Sequence, residues 1–437
     1  MTTAILGGGL SGLTLARLLH ERGDEVIVLE AEERYGGLCR SRTDKGFTFD
    51  IGGSHIIFSR DKEVLSFMET MIKGNEQRNN RNTKIFYKGR YVKYPFENGL
   101  FDLSAEDRFF CISEFVKTLI AVEKGEIQAP ENFREWIDYT FGKGIAECYM
   151  VPYNEKIWKY PTEKMSLHWV DGRIPRPPVD DVIKSAVGIS TEGYTHQSVF
   201  SYPLDGGIEA LVRAIARPVE PFIRTNFRIT SLTKKGSRWQ IGSGSETIEA
   251  DRVISTIPVQ HLIAALPDVP AEVKAACGAL VYNSLVCVNV GIKGSLPDYS
   301  WLYIPDPALG KTNRVSCPSQ YSRHVAPPGH SAILAEITHQ PGDAVSRMSD
   351  ADLVREVTGT LTAMGLATQD KIAYTSVVRQ PFAYVVYDIR YLENINVIKD
   401  YCTAAGIPLV GRFSQFEYLN MDGCIRSVLD FVRQYPA

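Results

Sequence analysis

No stretch of the chain reaches the roughly 18 consecutive apolar residues that a membrane-spanning helix requires, so no membrane span is expected. There is no basic excess either. Lys and Arg number 48 against 51 Asp and Glu, a net charge of −3. Nucleic acid is therefore not an expected partner, and an anionic ligand would have to be met by a few placed cations. The eight cysteines (Cys39, Cys111, Cys148, Cys277, Cys287, Cys317, Cys402 and Cys424) include no Cys-x-x-Cys and no Cys/His cluster at zinc spacing. That excludes a disulfide scaffold, leaves no metal site to expect, and suits reduced thiols in the cytoplasm. No basic stretch precedes the first strand-like run, Ala4-Ile5-Leu6, as a cleaved signal peptide would require. Internal repeats and low-complexity tracts are missing as well. What is present is ordinary for a folded protein: 44% hydrophobic and 23% charged residues exclude collagen-like and disordered classes. At roughly 150 residues per domain, 437 residues suggest two or three domains. The sequence gives no oligomeric state.

The first fifty residues read as β-α-β. An apolar strand from Thr3 to Leu6 leads into Gly7-Gly8-Gly9-Leu10-Ser11-Gly12, a helical pattern follows to Arg22, and Glu25 to Leu29 is a second strand. In Gly7-x-Gly9-x-x-Gly12, the first glycine permits the tight turn. The second lets backbone approach a pyrophosphate, and the third lets helix and strand pack closely. The helix start offers unpaired N–H groups to an anion. Glu30, at the end of the second strand, is placed to accept hydrogen bonds from ribose hydroxyls.

Further along, Lys84–Tyr87 and Arg90–Val92 suggest a hairpin joined at Lys88-Gly89, and Ser104 to about Tyr149 is helical in pattern. Ile229 to Ile248 suggests another hairpin. Leu280–Ile292, Trp301–Ile304, Asn313–Cys317 and Ser331–Thr338 suggest an antiparallel sheet. Ile407 to Arg412 reads as a final strand before a helix from Met421 to Gln434. Tyrosines and tryptophans gather with arginines at 149–173 and 301–321. Such aromatics are ordinarily core, but interleaved with arginine they also suit a ligand carrying a flat ring and phosphates.

A second glycine pair, Gly36-Gly37, followed by Arg40-Ser41, and a third, Gly52-Gly53 before Ser54-His55, extend the first motif. With Gly411-Arg412 and Asn420-Met421-Asp422, this pattern resembles the FAD-binding group of amine oxidases, protoporphyrinogen oxidases and UDP-galactopyranose mutases. The resemblance implies FAD, bound by Gly7, Gly9, Gly12, Glu30, Gly37, Arg40, Ser41, Gly53, Arg412 and Asp422.

Tyr153-Asn154-x-Lys156-x-Trp158-x-x-Pro161-Thr162-x-Lys164-Met165-x-x-x-Trp169-x-x-x-Arg173 is similar to the substrate-bordering segment of UDP-galactopyranose mutases, the eukaryotic type above all. Trp301-Leu302-Tyr303 with Arg314 is similar to that family's second phosphate-binding stretch. The family then implies that Arg173 and Arg314 hold a diphosphate and that Tyr303, Tyr384 and Tyr418 donate hydroxyls to it. Tyr149 would stack on uracil, Asn154 and Trp158 would line the pocket, and His55 would face the flavin. It also implies a nucleotide-sugar substrate, a reductant such as NAD(P)H, and a role in galactofuranose and glycan biosynthesis. The chemistry implied is an isomerisation in which N5 of reduced FAD attacks the anomeric carbon of the sugar. Two departures stand out: Ser54 separates the glycines from His55, and Glu97 replaces a glutamine. The alternative is an FAD-dependent oxidoreductase of the protoporphyrinogen or amine oxidase type. The expected fold class is α/β: a discontinuous Rossmann-like FAD-binding domain from residues 1–80, 200–275 and 400–437. A mostly helical substrate-side insertion (100–195) and an antiparallel β-sheet substrate domain (81–99 and 276–399) complete it.

Overall fold

Four short strands from three distant parts of the chain meet in one parallel sheet, ordered Arg252–Ser255, Thr2–Leu6, Glu25–Leu29 and Ile223–Arg224. The structure, a computed structural model, describes residues 1–170, 173–191, 198–244 and 246–436. Continuous apolar strands suit a parallel sheet covered on both faces. One face is covered by the helix Leu10–Glu21 and the terminal helix Met421–Gln434. Leu15, Ala16, Leu19 and Val428 pack there on Ile5, Val26, Val28 and Ile254. The strand expected at Ile407–Arg412 reduces to a single bridge, Leu409 to Ser255, because Pro408 has no N–H with which to extend a ladder.

A seven-stranded sheet stands beside it. Its order is Ile372–Val385, Tyr282–Lys293, His330–His339, Arg314–Ser316, Trp301–Tyr303, Thr83–Tyr87 and Arg90–Lys93. All neighbours are antiparallel except Trp301–Tyr303 with Thr83–Tyr87. Alternation along the strands separates two cores. Val286, Val288, Val290, Ile333 and Ile337 face the helix Asp350–Ala363, while Leu285, Cys287, Ala332 and Leu334 face the parallel sheet's side of the molecule. The hairpin at Lys88-Gly89 forms with both turn residues at positive φ.

The helical stretch from Ser104 is two helices, Ala105–Glu123 and Phe133–Ile145, followed by a π-turn at Ala146–Met150 and the helix Val151–Trp158. Glycine lets the first two touch: a Cβ on Gly144 would lie 2.5 Å from Cys111 Cα, and one on Gly142 would lie 2.7 Å from the Glu114 carbonyl oxygen. The Ile229–Ile248 hairpin is a three-stranded meander, Ser231–Lys235, Arg238–Ser243 and Glu246–Ala250. Among the described residues, no helix is long and apolar enough to cross a membrane.

Candidate active site

The crevice begins where the first strand ends. Gly7 donates its N–H to the Leu29 carbonyl (2.8 Å), and Gly36 donates to that of Gly8 (2.7 Å), so the two glycine loops lie back to back. A Cβ on Gly12 would sit 1.9 Å from the Gly7 oxygen, which no side chain survives. Gly9 caps the helix without a side chain, leaving the first turn's amides open to an anion. The Glu30 carboxylate accepts from the Gly8 and Glu32 N–H groups, both at 2.8 Å. It keeps further lone pairs for a ribose.

From the other side come Gly411 (φ +86°), whose added Cβ would lie 2.2 Å from Ser11 Oγ, and Arg412. The Arg412 guanidinium donates to the Leu419 carbonyl (2.7 Å) and to that of Ala383, and lies 4.6 Å from the Tyr418 ring centroid. Asp422 opens the terminal helix and accepts from Ser59 Oγ (3.0 Å) and the Gly423 N–H (2.9 Å). Arg40 donates to the carbonyls of Gly37 (3.1 Å) and Arg34 (3.3 Å).

Ser41 departs from its expected flavin contact. Its hydroxyl goes to Asp50 (2.7 Å) and its N–H to Glu209 (2.8 Å), because the pairing of Ser41 with Asp50 in the two-stranded ribbon directs it there. Asp50 also accepts from the Tyr202 hydroxyl and the Ile208 N–H, each at 3.0 Å. Burial nevertheless pushes its carboxyl up to about 6.

Beyond Asp50 the chain turns through Gly52 and Gly53. A Cβ on Gly53 (φ +91°) would meet Leu285 at 3.3 Å and the Glu336 carboxylate at 3.4 Å, so this loop lies directly on the seven-stranded sheet. His55 sits 3.0 Å through Nδ1 from the Gly53 carbonyl, which assigns the proton to Nδ1 and leaves Nε2 an acceptor. Burial, with the fields of Arg412 and Arg314, pushes its pKa down to about 4. His55 is therefore neutral at pH 7, and an imidazole NMR titration is expected to show its midpoint near 4. The unfolded chain protonates nearer 6.5, so His55 takes stability away as pH falls from 6.5 towards 4. The raised Asp50 pKa acts with the opposite sign between 3.8 and 6.

Across the sheet, Tyr303, Arg314 and Glu336 are register partners on adjacent strands, and Cys287 follows Glu336 in the same row. Arg314 clamps the fully buried Glu336 through Nε (3.0 Å) and Nη2 (2.7 Å to each carboxylate oxygen). Glu336 also accepts from the Ser54 N–H (3.1 Å) and, at 3.5 Å, from the Tyr384 hydroxyl. Tyr303 accepts from Trp301 Nε1 (3.1 Å), so its own hydroxyl proton remains to donate.

Tyr384 and Tyr418 face each other at 5.8 Å, with Trp158 edge-on to both at 6.1 and 5.4 Å. The Arg173 guanidinium lies 4.3 Å from the same Tyr418 ring. Arg314, Tyr303, Tyr384, Tyr418, Trp158, Arg173 and His55 are thus brought round one site. Asn154 is committed elsewhere: its carbonyl accepts from Trp158 Nε1 (3.1 Å) and its amide donates to Met150 (2.7 Å), so it fixes the indole instead of reaching a ligand. Tyr149, buried and stacked on Phe96 (5.0 Å) and Tyr153 (5.3 Å), has no open face for uracil. Tyr153, less buried and 5.0 Å from Tyr303, is the ring that borders the site.

Sequence reasoning missed Glu336. The signal was a lone acid in the apolar run Ala332 to Ile337, which at full burial requires a partner cation.

The crevice fits FAD. Its glycines give backbone access on both loops, and the buried Arg412 Nε has no hydrogen-bond partner among the described residues, leaving a donor for a cofactor acceptor. The chain superposes on the crystal structure of a reduced UDP-galactopyranose mutase with a TM-score of 0.90 and 26% identity, over 99% of this chain and 93% of that one. A putative protoporphyrinogen oxidase from Exiguobacterium sp. 255-15 shares the fold, with a TM-score of 0.77, 18% identity and 99% and 98% coverage. In sequence, the dTDP-fucopyranose mutase of Escherichia coli is 25% identical over 216 residues, 46% of this chain and 54% of that protein. The inactive all-trans-retinol 13,14-reductase of Danio rerio is 34% identical over 101 residues, 22% of this chain. The chain spans only about half the length of the first of these curated relatives and 17% of the second. Residues 10–427 match the model of the flavin-containing amine oxidoreductases; the chain belongs to that family, and FAD is its cofactor.

Proposed function

We propose that the chain is a flavin-dependent mutase that interconverts pyranose and furanose forms of a nucleotide-linked hexose, UDP-galactose or a closely related sugar. The observation that carries this reading is the pair of guanidinium groups, Arg314 and Arg173, bordering one Tyr384–Tyr418 cluster against the Gly53 loop. The likeness to two sugar-nucleotide mutases supports it further.

In this reading Arg314 and Arg173 hold the diphosphate, with Tyr303, Tyr384 and Tyr418 donating hydroxyls to it. Burial pushes the Tyr384 phenol well up, so it stays a neutral donor. Trp158, locked by Asn154, forms a wall for the sugar, and Tyr153 borders the nucleotide side. Neutral His55 holds the Gly53 carbonyl and with it the loop facing the flavin. The task of these residues is orientation of the anomeric carbon and retention of the departing diphosphate. Bound FAD supplies, when reduced, a nucleophilic nitrogen with no net electron transfer. An NAD(P)H-type reductant would prime it.

The test is incubation of dithionite-reduced holoprotein with UDP-galactopyranose, UDP-galactofuranose and dTDP-fucopyranose, followed by separation of the nucleotide sugars. Interconversion of at least one pair in reduced protein only is expected. No interconversion, with flavin turnover that instead consumes oxygen or another acceptor, would move the assignment to an oxidoreductase.

A further inference from the structure

We propose that Glu336 sets the charge of the diphosphate site: it aims Arg314 and cancels one of the two cationic charges there, so that a detached diphosphate is held loosely enough to leave or react again. This rests on the reading above, in which Arg314 and Arg173 take the diphosphate.

The two guanidinium groups are not equivalent. Arg173 lies over the Tyr418 ring at 4.3 Å and has no carboxylate within ion-pair distance among the described residues. Arg314 carries one. Glu336 accepts from its Nε (3.0 Å) and from Nη2 (2.7 Å to each oxygen), the acid side chain being 0% and the arginine 21% exposed. No other partner takes Nη1 among the described residues, so that nitrogen keeps its protons for a ligand. Arg412, the third cation of the cluster, is turned to the carbonyls of Leu419 and Ala383.

Glu336 cannot swing away to water. It stands on the strand His330–His339, between register partners Arg314 on one side and Cys287 on the other. Burying a carboxylate is costly, and a site built only to grip an anion gains nothing from placing one on its own cation. The fork-like pairing fixes the direction of the guanidinium. At the same time the pair presents no net charge, and the attraction left for a diphosphate is that of Arg173 and the neutral tyrosine donors.

The proposed reaction needs that moderation. When the anomeric C–O bond breaks, its electron pair stays with the diphosphate, which gains one negative charge. The charge is lost again when the bond re-forms. Two uncompensated guanidinium groups would favour the detached, more anionic form over the sugar-bound one. Glu336 acts here through Arg314, as a positioning residue.

Glu336→Gln keeps the shape and removes the charge. Its carbonyl oxygen can accept from Arg314 and Ser54, and its amide can donate to the Tyr384 oxygen. The Gly53 loop keeps a second anchor, because the Ser54 hydroxyl lies 2.9 Å from that of Tyr321, which itself donates to the Ser300 carbonyl (3.0 Å).

Oxidised holoprotein, matched for FAD content, is titrated calorimetrically with UDP, UDP-galactose and uridine. Glu336→Gln is expected to bind UDP about tenfold or more tightly than wild type does. The gain should be smaller for UDP-galactose, whose sugar-capped phosphate carries about one charge fewer, and absent for uridine. Loss of a merely structural contact would weaken binding instead. Glu336→Asp keeps the charge on a shorter arm that draws Arg314 back, so it should bind UDP as wild type does or more weakly; this arm stands even where the glutamine variant does not hold FAD. Arg314→Ala should weaken UDP in the same titration. The proposal is overturned if Glu336→Gln binds UDP no more tightly than wild type, if uridine gains as much as UDP, or if Glu336→Asp also tightens. Wild-type UDP affinity in Arg314→Ala would remove the diphosphate reading itself, which separates the two failures.

Discussion

Arg314→Ala is expected to lose most turnover in reduced protein, about a hundredfold or more, the scale of one preorganised charge-assisted donor. FAD should stay bound, because the Arg314 hydrogen bonds go to Glu336 and not to the loops at Gly7–Gly12 and Gly36-Gly37. The substitution does a second thing. It strands Glu336, which is fully buried and would face the site with only the Ser54 N–H and the Tyr384 hydroxyl. Breaking such a pair from one side costs about 3–5 kcal/mol. Thermal unfolding should therefore shift down in Arg314→Ala and recover in Arg314→Ala/Glu336→Gln, where the stranded charge is gone. Turnover should not recover with it, since the phosphate donor is still missing. Full turnover in Arg314→Ala would remove the phosphate role outright.

Gly12→Ala is expected to cost FAD itself. The added methyl would lie 1.9 Å from the Gly7 oxygen and 2.9 Å from Thr256 Oγ1, contacts made of backbone and a half-buried hydroxyl already bonded to the Leu6 carbonyl. The helix Leu10–Glu21 must then move off the first strand, carrying its open amides away from the pyrophosphate position. Overpacking of this kind costs about 1–3 kcal/mol in stability. The ratio of flavin to protein absorbance should fall towards zero in purified protein. Gly278→Ala is the matched control: it is helical, nothing lies within 4 Å of its added Cβ, and exchanging glycine for alanine in a helix is neutral or stabilising by about 0.5–1 kcal/mol. Unchanged FAD content in Gly12→Ala would mean that the glycine spacing is not what holds the cofactor.

The crevice was legible in the sequence because its geometry is local. Gly7, Gly9, Gly12 and Glu30 lie within one β-α-β unit, and backbone sterics alone dictate those residue types. The roles of Ser41, Asn154 and Tyr149 were not legible, because each depends on a neighbour that only the fold supplies. Strand pairing puts Asp50 opposite Ser41, helical spacing puts Trp158 one turn from Asn154, and Phe96 arrives on Tyr149 from outside the helical segment. Glu336 shows the same limit from the other direction. Its burial could be suspected from the apolar strand around it, but its partner is set by registers across three strands. The helices Asp350–Ala363 and Tyr391–Ala404 and the strand Ile372–Val385 went unread; the structure pairs that strand with the recognised Tyr282–Lys293, packs the first helix on both, and sets the second against the helix Ala271–Ala279.

The contact of Gly411 on Ser11 has a consequence for biosynthesis. Both walls of the flavin crevice exist only when the segment holding Gly411 and Arg412 has left the ribosome and closed over a β-α-β unit made some four hundred residues earlier. A nascent chain halted before that point can form the first wall and nothing to retain the cofactor against it. Retention of the flavin therefore waits on that segment, and a chain cut before Gly411 should purify without it.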